Sequence, residues 1–132
     1  MKASFPLPPG SVLGLMGGGQ LGRMFAQSAA TLGYRVAVLE KNTCPASEVS
    51  DQHIAAAYTD PAALASMKKI TAAVTTEFEN VPADALTHLA TGEDACITAP
   101  AADAVSVAQD RLTEKTFLEK TAGIPVAPHA AV

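Results

Sequence analysis

Tryptophan is missing from this 132-residue chain, aromatic residues make up only 5% of it, and there are just two cysteines. Its core must therefore be assembled from aliphatic side chains rather than large rings. Cys44 and Cys96 lack metal-ligand spacing and read as free thiols in a reducing compartment. Basic excess is missing too. The formal charge is −4, so no electrostatic footprint for nucleic acid is present. The pairs Lys68-Lys69 and Arg111/Lys115 read as scattered, solvated helix faces. No apolar run approaches the roughly 18 residues of a membrane span. Before Pro6 there is one lysine and no continuous apolar stretch, so no signal peptide is expected and the cytoplasm is the default location. A length of 132 residues suits one domain with a sizeable core.

What the chain does have is 48% hydrophobic residues arranged in alternating strand-like and helix-like segments. Ser11–Met16 reads as a first strand. Gly17-Gly18-Gly19 is a turn, and Gln20–Leu32 reads as a helix whose apolar face is Leu21, Met24, Phe25, Ser28, Ala29 and Leu32. Gly33 is placed for a left-handed cap. Arg35–Glu40 is a nearly continuous apolar strand, as in a parallel sheet buried on both faces. Ile54–Tyr58 is a candidate third strand. Asp60-Pro61 starts a helix that runs to about Lys69, with Asp as cap and Pro at the first helical position. Ala72–Thr76 is a fourth strand, Pro82 to about Ala90 a helix, Ala95–Thr98 a fifth strand, and Ala101–Thr121 helical with a restart at Asp110. The expected fold is α/β, a Rossmann-like parallel sheet with helices on both faces. Residues 1–122 form the domain, and 123–132, with Pro125 and Pro128, start a linker.

Three groups of residues carry chemistry. The first is Gly17, Gly18, Gly19 and Gly22, which satisfy a dinucleotide fingerprint after the first strand and bring backbone N–H groups close to a phosphate. Glu40 ends the second strand 18 residues after Gly22, near where a ribose-binding carboxylate sits in an NAD-binding domain. On this reading the protein is part of an oxidoreductase; on the bland reading the glycines only permit tight strand-to-helix packing. Gln20 strains the NAD reading, because its amide offers a directed donor and acceptor that a phosphate turn does not need. The second group, Glu77 and Glu79, follows the fourth strand, where ligands of open α/β sheets bind. They alternate, so only one should face the crevice. A carboxylate there suits an amine or ribose hydroxyls; otherwise both acids merely favour the dipole of the helix after Pro82. The third group, Arg111 and Lys115, lies four apart on one helix face and suits phosphate oxygens, or else is solvated.

Gly-Gly-Gly-Gln-Leu-Gly-Arg-Met, Thr-Glu-Phe-Glu-Asn-Val-Pro, Gln-Asp-Arg-x-x-x-Lys and Gly-Ile-Pro-Val-Ala-Pro occur in that order. With Cys44-Pro45-Ala46 and Asp51-Gln52-His53, this resembles the N-terminal domain of the N5-carboxyaminoimidazole ribonucleotide synthetase family, ATP-grasp ligases of purine biosynthesis, from about Val12 to Pro128. The resemblance implies a reaction in which ATP, assisted by Mg²⁺, phosphorylates bicarbonate to carboxyphosphate. The exocyclic amine of 5-aminoimidazole ribonucleotide then captures the activated carbon. It implies that Gln20 and Leu21 approach the ribonucleotide and that Glu79, with Glu77 second, bonds its ribose or amine. Arg111 is implied to touch ATP, and the full-length enzyme to be a homodimer. The similar formate-dependent glycinamide ribonucleotide transformylase tends to carry Glu where Gln20 stands, so Gln20 and Arg23 favour the carboxylating family. A further alternative is a non-enzymatic assembly module. The chain stops where the ATP-grasp portion of such enzymes begins, so alone it is expected to be an inactive fragment, with ATP and Mg²⁺ bound mainly elsewhere.

Overall fold

A computed structural model describes residues 6–130 of the chain. Five strands form one sheet in the order β3-β2-β1-β4-β5, every neighbouring pair parallel. They are β1 (Val12–Met16), β2 (Arg35–Leu39), β3 (Gln52–Ile54), β4 (Ala73–Thr76) and β5 (Ile97–Thr98). The helices are α1 (Gln20–Thr31), α2 (Pro61–Ile70), α3 (Ala83–Ala90), α4 (Ala102–Gln109) and α5 (Arg111–Thr116), with a π-helical turn at Phe117–Thr121. The architecture is the α/β one expected from the sequence. Strand order reverses between β1 and β4, which opens a crevice beyond their carboxyl ends.

Alternation along the strands divides the core between the two faces of the sheet. Leu15, Val36 and Val38 pack with Ala26 and Ala29 of α1. Met16, Ala37, Leu39 and Val74 face the other way, onto Leu64 and Met67 of α2, Leu86 and Leu89 of α3 and Val105 of α4. Helices therefore cover both faces. Their ends follow local chemistry. Asp60 caps α2 by accepting the Ala63 N–H at 2.7 Å, with Pro61 in the first turn. Gly33 takes φ +81° after α1. Asp110 interrupts the last helical stretch as expected, its carboxylate accepting the Thr113 N–H at 2.7 Å to start α5.

Two expectations are corrected. The apolar residues Leu21, Met24 and Leu32 are not the buried face of α1; they are 65%, 60% and 69% exposed. The helix instead buries Gly22, Ala26 and Ala29. Small side chains let it approach the sheet closely, and the larger ones are left outside. The third strand is Gln52–Ile54, not Ile54–Tyr58. Asp51 fixes its start: its carboxylate accepts the Val36 N–H at 2.8 Å, and its own N–H donates to the Val36 carbonyl at 2.9 Å. This edge strand reads as polar because it is only half covered.

Candidate functional site at the sheet switch point

The glycine turn lies at the carboxyl end of β1, and the chain around it is tied to three neighbours. Gly17 N–H donates to the Leu39 carbonyl at 3.2 Å, Glu77 N–H to the Met16 carbonyl at 2.9 Å, and Ala46 N–H to the Gly18 carbonyl at 2.9 Å. The turn is thus fixed to β2, to the end of β4 and to the loop after β2. Gly17 has φ +103°, and a Cβ there would stand 2.8 Å from the Phe78 ring and 2.9 Å from Glu77 Cβ. At Gly18 a Cβ would collide with the Cys44 sulfur. The glycines are required both by backbone conformation and by the side chains pressed against them.

Glu77 is the central group. Its Oε2 accepts the Gly19 N–H, at the amino end of α1, and the same oxygen would lie 3.2 Å from a Cβ at Gly22. A helix N-terminus attracts an anion, through free N–H groups and the helix dipole. Here the protein supplies that anion itself. A pyrophosphate at the turn would have to displace the Glu77 carboxylate. The other Glu77 oxygen, Oε1, accepts no hydrogen bond among the described residues and lies close over Gly19. A cavity of about 380 Å³ adjoins it, lined by Thr76, Phe78, Glu79, Pro100 and Val105 among others.

Of the two acids, the structure places Glu77 at the turn, whereas the sequence reading ranked Glu79 ahead of it. Glu79 is exposed, and its backbone carbonyl accepts from the Gln109 side-chain amide at 2.7 Å. Gln109 also donates to the Val81 carbonyl at 2.7 Å, so the residue that opens the Gln-Asp-Arg motif braces the loop that carries Glu77 and Glu79. Gln20 and Leu21, the first residues of α1, are exposed beside the turn. Arg111 is far more open to solvent, 80% exposed along its side chain, and pairs with Glu114. Lys115 reaches the Ala127 carbonyl at 3.5 Å, so Arg111 and Lys115 do not converge on a shared point.

Glu40, the other carboxylate weighed for a ribose, is already engaged. Its Oε1 accepts the Lys41 N–H at 2.8 Å, and its Oε2 accepts the Tyr58 hydroxyl. Burial, and then the hydrogen bond to Glu40, push the Tyr58 phenol well above its ordinary value, so it stays protonated. The Tyr58 ring leans on Phe78, centroids 6.0 Å apart. Tyr58, Phe78 and Cys44 therefore wall the turn, a role that sequence reasoning missed. The only signals were an aromatic between two glutamates and the Cys44-Pro45-Ala46 loop. Arg23 pins that loop to α1 through an ion pair with Glu48 at 2.6 Å and a bond to the Pro45 carbonyl at 3.3 Å.

Comparison with known proteins places the chain in a family. A family described as the ribonucleotide synthetase preATP-grasp domain matches residues 11–109. The chain is 49% identical over 123 residues to the N5-carboxyaminoimidazole ribonucleotide synthase of Brucella melitensis, covering 92% of this chain and 33% of that protein. It aligns with N5-carboxyaminoimidazole synthetase from Staphylococcus aureus complexed with ADP at TM-score 0.83 and 41% identity, covering 92% of this chain and 32% of the other. It also aligns with N5-carboxyaminoimidazole synthase from Aspergillus clavatus, solved with ADP and 5-aminoimidazole ribonucleotide, at TM-score 0.80 and 33% identity, covering 91% of this chain and 31% of the other. The chain spans about a third of the length of the curated relatives it matches. It belongs to the ribonucleotide synthetase preATP-grasp domain family.

Proposed function

We propose that this chain is the ribonucleotide-side domain of an ATP-grasp ligase that carboxylates 5-aminoimidazole ribonucleotide with bicarbonate, in the cytoplasm, during purine biosynthesis. The observation that supports it is the carboxylate of Glu77 seated on the amino end of α1, with one oxygen engaged, the other accepting no hydrogen bond among the described residues, and Gln20 exposed in the first turn of that helix. Such a site suits the amine or hydroxyl end of a ligand whose phosphate is held away from the turn, and repels a dinucleotide's pyrophosphate placed on the turn, which argues against an NAD-binding domain. The second Glu77 oxygen accepts a hydrogen bond from the exocyclic amine or a ribose hydroxyl, and the Gln20 amide orients the ligand from the other side. Leu21 lies against it, and Glu79 stands at the crevice rim as a further acceptor. Holding the amine in place prepares it to attack a carboxyl carbon: a nitrogen–carbon bond forms, phosphate leaves and the amine gives up a proton.

In this reading residues 1–122 are the domain, and 123–132 begin the connection to an ATP-grasp portion that holds most of the ATP and Mg²⁺. Arg111 contributes to the nucleotide from this side, leaving Glu114 to do so, and the full-length enzyme is a homodimer. Among the described residues no group of three or more His, Cys, Asp or Glu side chains is arranged to hold a metal ion.

Calorimetric titration tests the reading. 5-Aminoimidazole ribonucleotide should bind this chain saturably, and Gln20→Ala and Glu77→Gln should each weaken it about tenfold, the loss of one directed hydrogen bond. NAD should not bind. Saturable micromolar NAD binding would overturn the proposal. So would a longer protein, carrying both portions, whose phosphate release does not depend on the ribonucleotide.

A further inference from the structure

The opposite end of the sheet carries a larger concavity. A cavity of about 620 Å³ opens at the amino ends of β1, β2 and β4, between the last turn of α2 and the loop before β5. Its size falls within the roughly 300–1,000 Å³ of small-molecule sites. Arg35, Lys68 and Lys69 line it and face a single carboxylate, Asp94, although the whole chain carries a formal charge of −4. These cations are underused. Arg35 donates through Nε to the Gly10 carbonyl at 3.3 Å, which leaves both terminal nitrogens of its guanidinium without a protein acceptor among the described residues. Lys68 caps the Thr91 carbonyl with one of its three N–H bonds. Lys69 makes no hydrogen bond or ion pair among the described residues. By contrast, Arg23 and Arg111 each pair with a glutamate.

Ser11 and Thr71 add hydroxyls, and the remainder of the wall includes Leu7, Val12, Ile70 and Cys96, whose thiol burial pushes up and keeps neutral. We propose that this groove binds a small phosphorylated molecule of the nucleoside monophosphate class, its phosphate on Arg35 and Lys69 and its ring on the apolar wall. A guanidinium fork and a mobile ammonium are the usual partners of a phosphate. The ring would account for the apolar half of the lining. The site is separated from the switch-point crevice by the full length of the strands, so both can be filled at once. Two lysines closing a helix are also what the helix dipole alone would favour, and the experiment separates the two explanations.

AMP is the probe, titrated into the intact chain while backbone amide signals are followed by two-dimensional NMR. Saturable shifts at Ser11, Arg35, Ala72 and Ala95, with a dissociation constant below about 1 mM, are expected. Lys69→Gln should weaken binding about tenfold and Arg35→Gln/Lys69→Gln further, with amide spectra otherwise preserved. Glu77→Gln should leave it unchanged. The proposal is overturned if shifts are confined to residues 17–20 and 76–79, if nothing saturates by about 10 mM, or if Lys69→Gln binds as the parent does. Inorganic phosphate binding as tightly as AMP would equally overturn it, because the ring would then contribute nothing.

Discussion

The two ends of the parallel sheet present opposite chemistry to solvent. At the carboxyl end, Glu40 and Glu77 press against a glycine turn, Glu79 stands exposed nearby in the chain, and Arg23 of α1 is tied to Glu48. At the amino end, three cations surround a cavity with one acid. The difference shows that a glycine-rich turn does not by itself specify a phosphate site. A helix N-terminus takes whichever anion is nearest. Here the chain places Glu77 there, one residue past Thr76, the last strand residue paired with Met16. The larger group of cations lies at the other end, where Arg35, Lys68 and Lys69 line one cavity.

The strongest way to break this contrast is to disturb the turn itself. Gly17→Ala adds a methyl group where the backbone is left-handed and where Phe78 and Glu77 already fill the space. We expect a loss of about 3 kcal/mol, combining backbone strain with overpacking. Urea unfolding measures it. A loss below about 1 kcal/mol would mean that the turn relaxes, and that its tight contacts do not define the site.

Next in size is the removal of the internal anion. Glu77→Ala leaves the Gly19 N–H without its charged acceptor and should cost about 2 kcal/mol. It should also convert the carboxyl end into what the fingerprint first suggested. Inorganic phosphate should then move the amide signals of Gly18, Gly19 and Gln20 in the variant but not in the parent chain. If both respond alike, Glu77 does not occupy the anion position.

Much of this contrast was legible in the sequence, but not its decisive contact. The β1–turn–α1 unit, β2, the Asp60-Pro61 start and the Asp110 restart follow from local chemistry, and each formed within a residue or two of its expected bounds. Alternation predicts that only one of Glu77 and Glu79 faces the crevice, whereas both line the cavity there. That Glu77 is the one at the glycine turn depends on where β4 stops beside Met16 and on Gln109 bracing the loop from thirty residues away, both tertiary facts. The face of α1 was misread because periodicity scores Leu21 and Met24 above Gly22 and Ala26, whereas close helix-to-sheet approach selects the smaller pair. The amino-end cavity was illegible for a simpler reason. Arg35 and Lys69 are far apart in the chain, and only the sheet brings them to one groove.

A third test uses pH. The Tyr58 phenol is held protonated by burial and by Glu40. Its folded value lies above its unfolded value of about 10, so its contribution to stability is complete below about pH 10 and is lost as pH rises beyond that. Tyr58→Phe should cost about 1 kcal/mol at neutral pH, the net value of one hydrogen bond. The gap between parent and variant should then shrink above about pH 10, because only the parent carries this titration. A constant gap across the alkaline range would show that the Tyr58–Glu40 contact does not help hold the wall of the turn.

The smallest effect compares one cation from each end. Arg23 is paired with Glu48 at 2.6 Å but lies near the surface, so Arg23→Gln should cost only about 0.5 kcal/mol, and less in about 1 M salt. Arg35 has no carboxylate partner among the described residues, so the cost of Arg35→Gln should not fall with salt. The sign of the salt response is therefore more informative than the size of either loss. If Arg35→Gln also becomes milder in salt, the amino-end guanidinium is already neutralised by the protein in solution. The opposition between the two ends would then reduce to a difference in shape, with no free cation left to attract a phosphate.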